Sequence, residues 1–341
     1  MVDTFSDGSF VLQEYDSYTL KKFDSEGRFI QPLSREGRGP GEFLDIDHII
    51  IDDRDRLIVV DHIQLKLTVL ENERETSDHF IFKSRPTIRS VHQLQSGEYI
   101  FGFTNYSSSG ILESPELFYL VQQDFEIQTT GFVPPGHLHQ LVPGSVPEIV
   151  MRGSKRLTDN SVLTSTDDLL VAPSLYNGRM LLYSKRSDYK EFEIIEVSND
   201  YGPPYKEFKE TGHISSQIFN QEGFSMVNNP SGRISFFHFN RSLGLFRLNT
   251  GQIIHFVQIK NGDNVELITE ILDDHGRNVL GIQKLNTLGE IKIRENIIEY
   301  REYGHIDLVF HHLDHKNRLF VSRFRENGEP ELSVIRIAVR F

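Results

Sequence analysis

The chain carries 14 His and 12 Tyr but no Cys, so its reactive groups are imidazoles, phenols and carboxylates. Thiolate nucleophiles, thiolate metal sites and disulfides are excluded. Acid/base chemistry by His, Tyr or Arg needs no local motif. No Gly-x-Ser-x-Gly elbow, His-Glu-x-x-His helix or phosphate loop is present to name a reaction. Two groups of His invite a metal reading. His311, His312 and His315 lie close in sequence, but neighbouring residues of a strand point to opposite faces, so His311 and His312 do not easily chelate one ion. One ring packed between sheets and one near solvent is the expectation. His137 and His139 share a side if extended, yet two ligands without a third fall short of a zinc site.

Strands must position these groups. The chain repeats a turn carrying Asp, Asn or Gly before a strand rich in aromatic and β-branched residues. Asp7-Gly8 precedes Ser9–Tyr15, Asp53–Asp55 precedes Arg56–Val60, and Gln95–Gly97 precedes Glu98–Phe103. Asp167-Asp168, Pro230–Gly232 and His315–Asn317 lead into Leu169–Ala172, Arg233–Phe239 and Arg318–Phe324. Most units continue into a third strand, such as Leu65–Leu70 or Leu243–Leu248, and a fourth, such as Phe80–Phe82 or Ile253–Ile259. A repeat of about 40–50 residues with almost no helical periodicity reads as an all-β fold, a β-propeller of four-stranded antiparallel blades. Six blades are favoured. A seventh unit at Val265–Tyr303, led by Asp273–Gly276, is the alternative. A single domain is expected over residues 1–341, with stretches longer than the template at about 134–157, 199–220 and 260–304.

Hydrophobic residues make up 38% and charged residues 25%, which fits a globular protein. No apolar run nears the roughly 18–20 residues of a transmembrane helix. The net charge of −13, without a Lys/Arg cluster, argues against nucleic acid and anionic membrane surfaces as partners. Met1–Gly8 has no basic or apolar leader pattern, and a monomer is expected.

Gly37-Arg38-Gly39-Pro40-Gly41-Glu42-Phe43 places three Gly and a Pro in seven residues, which forces a sharp turn. With the strands on either side, Leu20–Ile30 and Ile46–Asp61, it resembles the junction between blades in a bacterial six-bladed β-propeller family related to NHL repeats. Phe23–Phe29, Leu57–Asp61 and Glu329–Ile337 fit the same pattern. No helix and no Lys follow Gly41, so the phosphate-cradle reading fails; Phe43 is expected to wedge between blades. The resemblance implies a scaffold, not a reaction. Its members are often exported or lipid-anchored, which implies a periplasmic or cell-surface location although this chain starts without a signal peptide. They usually carry residues before this point, so the closing blade is expected to be clipped at its N-terminal side.

Ligands of such propellers meet the funnel of the central channel, near the starts of the inner strands. That analogy selects Asp47 and His48 in the second blade, Arg89 in the third, and Asp159 and Asn160 in the fourth. His213 and Ser225 in the fifth, and His305 and Asp307 in the last, complete the set. Such a ring could bind a carbohydrate or a carboxylate. It could also hold a divalent cation, as gluconolactonase-like six-bladed enzymes do. The expectation is a site with no cofactor and no assigned catalytic residue, binding a glycan, peptide or partner protein through the funnel and long loops. Tyr201–Phe208 could stack on a sugar or a partner peptide. The alternative is a lyase or hydrolase acting on a sugar derivative at the funnel, with or without a metal.

Overall fold

The computed structural model of the 341-residue chain describes residues 1–14, 18–61, 63–71, 75–79, 87–104, 118–123, 125, 127–132, 161–165, 168–172, 176, 178–198, 240–261, 264–288, 291–292, 308–324 and 330–339. These form two compact units. The first comprises Met1–Asn105, Glu116–Phe132 and Phe310–Phe341; the second comprises Tyr106–Pro115 and Val133–Val309.

The first unit holds four antiparallel sheets, each with strands in chain order. Sheet one is Val2–Thr4, Phe10–Gln13, Leu20–Phe23 and Phe29–Pro32. Sheet two is Ile46–Ile51, Leu57–Asp61, Lys66–Glu71 and Glu75–His79, and sheet three is Thr87–Gln93, Tyr99–Thr104, Phe118–Val121 and Ile127–Phe132. Sheet six is Leu308–Leu313, Arg318–Phe324 and Pro330–Arg336. In the second unit, sheet four is Ser161–Ser165, Asp168–Ala172, Arg179–Tyr183 and Phe192–Glu196, and sheet five is Arg241–Arg247, Ile253–Asn261, Asn264–Leu272 and Val279–Leu285. The one helical turn among the described residues is a 3-10 turn at Lys185–Ser187, so no described helix is long and apolar enough to cross a membrane.

Leu57-Ile-Val-Val-Asp61 shows why the middle strands read as unbroken apolar runs. Alternate side chains point to opposite faces, and both faces are covered. Leu57 and Val59 pack with Phe5, Val11, Leu20 and Ile49 toward sheet one. Ile58 and Val60 pack with Val91, Tyr99 and Phe101 toward sheet three. Phe43 is fully buried in the cluster between sheets one and two. Glu42 folds the glycine loop by accepting from Gly39 N at 2.8 Å and Arg35 Nε at 2.6 Å. A Cβ at Gly37, whose φ is +154°, would run into that carboxylate.

Sheets one, two, three, five and six join their first two strands through one turn. The residue opening it, Phe5, Asp52, Leu94, Leu248 or Asp314, accepts from the N–H three residues on and donates to the carbonyl four residues on. The fourth position has positive φ and is Gly8, Asp55, Gly97, Gly251 or Asn317; Gly takes that conformation freely, Asn and Asp tolerably. Where Asp opens the turn, it also builds a latch. Asp314 accepts from Lys316 N at 2.9 Å, Arg318 N at 2.7 Å and Arg318 Nε at 2.6 Å. Arg318 then donates to the carbonyls of Ser25 and Gly8 in sheet one, at 2.9 and 2.8 Å. Asp52 and Arg56 repeat this toward sheet three, where the Tyr99 hydroxyl donates to Asp52 at 2.9 Å and accepts from Arg56 at 3.0 Å.

Sheet five corrects the reading of the repeat. Leu243–Leu248 and Ile253–Ile259, expected as third and fourth strands, lie in its first and second. Val265–Ile282, expected as an insertion or a seventh unit, supplies the third and fourth. The cause is that Asn261 pairs with Asn264, so the second and third strands follow one another directly in the sequence and no blade boundary falls between them. The stretches 134–157 and 199–220 lie outside the described residues.

Candidate functional site

The first strands of sheets one and three both lie beside the first strand of sheet two, and these strands carry the polar residues picked out by the sequence. Asp47 and Arg89 each occupy a register shift, between Ile46 and His48 and between Ile88 and Ser90. A bulge of this kind re-aims a side chain away from regular pairing. Sheet five has the same irregularity between Ser242 and Gly244. His48 follows the bulge of sheet two. The structure places Arg89 on its strand. Asp159, Asn160, His213, Ser225, His305 and Asp307 lie outside the described residues.

Side chains absent from the sequence-based set complete this edge. His312 of sheet six faces Asp3 of sheet one, Nδ1 to Oδ1 at 3.2 Å, and its Nε2 meets Thr4 Oγ1 at 2.9 Å. Asp3 in turn accepts from Ile51 N of sheet two at 2.7 Å. His92 of sheet three is the second cause of the lowered His48 in sheet two. The edge is thus polar from sheet six through one and two to three. His311 takes the opposite side of its strand and meets Ser322 Oγ within its own sheet at 2.7 Å, as alternation requires.

Protein surrounds His48 and His92, although both keep some accessible surface. Burial pushes His48 down to about 3, with His92 the second cause, and pushes His92 down to about 4. Both rings are therefore neutral near pH 7, and each offers one N–H donor and one lone-pair acceptor. Burial also raises Asp3, against the opposing pull of His312 and two backbone N–H groups. His92 Nε2 is buried with no hydrogen-bond partner among the described residues. Among those residues, no three His, Asp or Glu side chains gather at metal-binding range.

A second polar cluster lies in the other unit. The Tyr176 hydroxyl donates to Glu270 Oε2 at 2.7 Å, and His255 Nδ1 faces the same oxygen at 2.7 Å. His255 Nε2 meets Ser242 Oγ at 2.8 Å. Sequence reasoning passed over it. The available signal was a His and a Glu on the apolar faces of Ile253–Asn261 and Asn264–Leu272.

Residues 2–157 match a family described as a 6-bladed beta-propeller. Two solved Bacteroides structures are similar in fold over most of this chain. A member of the duf4221 family from Bacteroides vulgatus has 10% identity and a TM-score of 0.53, covering 96% of this chain and 90% of that one. A Bacteroides fragilis protein inferred to be exported has 12% identity and a TM-score of 0.51, covering 93% and 77%. No curated protein matches in sequence. With four-stranded antiparallel sheets as its unit, the chain is an all-β six-bladed β-propeller, and residues 2–157 carry the sequence pattern of the family so described.

Proposed function

We propose that this propeller is a recognition protein that binds a polyhydroxylated ligand, a glycan, along the first-strand edge of the first unit. The observation that carries the reading is His92, whose buried Nε2 has no partner among the described residues and whose ring, like that of His48, burial keeps neutral. An unmet buried polar nitrogen costs about 1–3 kcal/mol, so a ligand hydroxyl that pairs with it, as donor or acceptor, gains accordingly. Sugar hydroxyls donate and accept at once, as neutral imidazoles do. A cell-envelope address goes with this reading, and the exported assignment of the Bacteroides fragilis protein supports it.

Calorimetric titration with a panel of neutral and acidic oligosaccharides tests the reading. The expected result is binding by the unaltered chain that weakens about tenfold or more in His92→Ala and His48→Ala, the loss of one or two hydrogen bonds. Binding of none of the panel, or binding untouched by both substitutions, refutes it, and capture of a peptide instead would replace the glycan with that ligand.

A second reading rests on His312. It is partly exposed, with a side-chain accessibility of 28%, and Asp3 faces its Nδ1. Asp3 orients the ring, and a sugar hydroxyl that displaced Thr4 from Nε2 would meet a nitrogen set for acid/base work. Turnover of an oligosaccharide that is lost in His312→Ala while binding persists would select this reading.

A further inference from the structure

Glu270, His255 and Tyr176 are fully buried in sheets four and five, and Ser242 nearly so. Their surroundings are apolar: Leu170, Ala172, Met180 and Leu182 on one side, Leu245, Ile253, Val257 and Leu272 on the other. Charged groups on the same sheet faces stand at the margins and have other partners. Arg247 donates to the carbonyls of Gly251 and Asp274, Glu266 pairs with Lys284, Glu193 with Arg277, and Asp168 accepts from Lys185 N. No described cation therefore reaches Glu270. Its Oε2 serves both Tyr176 and His255, while Oε1 is buried with no partner among the described residues. A lone carboxylate so enclosed is expensive, and the network becomes neutral by sharing one proton between Glu270 and His255.

We propose that Tyr176, Glu270, His255 and Ser242 form a proton-holding lock between sheets four and five, closed while the proton is kept and weakened when alkali removes it. Tyr176 ties the two sheets twice, because its backbone N also donates to Asn240 O at 3.0 Å, beside the first strand of sheet five.

Burial raises Glu270 from 4.5 to about 8, with the Tyr176 hydrogen bond opposing, and lowers His255 from 6.5 to about 3. Between pH 4.5 and 6.5 the folded pair holds one proton on Glu270 and the unfolded pair one on His255, so stability is level. Above 6.5 the unfolded chain holds none and the folded chain still one, so stability falls until pH reaches about 8. Below 4.5 the unfolded chain holds two, and stability falls as pH drops toward 3.

Hydrogen exchange of peptides spanning Ile253–Leu272, followed from pH 6 to 9, reads the lock. After correction for intrinsic exchange, protection in the unaltered chain should fall roughly 15-fold between pH 6.5 and 8 relative to Glu270→Gln, with Glu270 half ionised at the upper limit. The amide oxygen keeps both bonds to Tyr176 and His255 without titrating. Tyr176→Phe removes the bond that lowers Glu270, so it should move the alkaline fall to higher pH; it decides the matter alone if Glu270→Gln does not fold. Parallel profiles for the unaltered chain and Glu270→Gln, or an unmoved fall in Tyr176→Phe, overturn the proposal. Covalent labelling of Ser242 by a fluorophosphonate at pH 7 overturns it as well, since that requires an open hydroxyl and an ionised relay.

Discussion

Arg318→Ala should cost the first unit about 3 kcal/mol, the lower end of what truncating one partner of a buried ion pair removes. The side chain of Asp314 is fully buried and that of Arg318 is 13% exposed, so solvent replaces little of what is lost. The substitution removes the charge-assisted bond to Asp314 and both bonds to the sheet-one carbonyls of Ser25 and Gly8. Asp314 keeps the backbone N–H groups of Lys316 and Arg318, which is why the lower figure applies. That loss corresponds to roughly 150-fold in the unfolding equilibrium. Urea unfolding of Arg318→Ala, with the exposed Lys316→Ala as a near-zero reference, measures it. Arg318→Lys should lose most of the same energy, because one ammonium cannot span a carboxylate and two carbonyls set for a guanidinium fork. Acid supplies an independent check. Burial pushes Asp314 up, but the Arg318 and Lys316 bonds outweigh it and hold the carboxyl below 3.8. The latch is therefore present in full above the unfolded value and lost as pH falls through the folded one. The gap between Arg318→Ala and the unaltered chain should narrow only below about pH 4. A loss under about 1 kcal/mol, or a gap that persists in acid, would show that the guanidinium is ornamental.

Tyr99→Phe keeps the ring in its cluster but removes the hydroxyl shared by Asp52 and Arg56. It should lower stability by about 1–2 kcal/mol in urea unfolding. Gly276→Ala should cost about 1–2 kcal/mol by the same assay, because φ there is +72° and the new Cβ would lie 2.8 Å from Leu170 Cδ2. Asn317→Gly, at the same kind of turn position with φ of 56°, should change stability by less than about 1 kcal/mol.

The turns of sheets one, two, three and six were legible because local chemistry fixes them: a Gly, Asn or Asp at the left-handed position closes the hairpin whatever surrounds it. Sheet five was misframed because Gly262-Asp263 sits inside a run taken for an insertion, and the turn at Asp273–Gly276 then looked like the start of a new unit. Asp47 and His48 were selected because they stand near the start of an inner strand, where the propeller analogy puts the funnel mouth. His92 was not selected: it lies within Thr87–Gln93, where nothing in sequence marks its ring, and the group it acts on, His48, is in a different sheet.

Separation in sequence explains what stayed hidden. Thr4 and His312 are 308 positions apart, and Arg318 reaches Gly8 across 310. No window contains both halves of either contact, yet each half carries a mark. Asp52-Asp-Arg-Asp-Arg56 and Asp314-His-Lys-Asn-Arg318 share an Asp and an Arg four apart around a left-handed Asp or Asn. In both, the carboxylate fastens the turn and leaves the guanidinium free to reach the neighbouring sheet. His255 and Glu270 are marked differently, as ionisable groups set between apolar residues of the same face, Ile253 and Val257 beside His255 and Ile268 and Leu272 beside Glu270. A titratable residue on a face that must be buried has to find its partner within the fold, and here the partners are each other, across the second and third strands of sheet five.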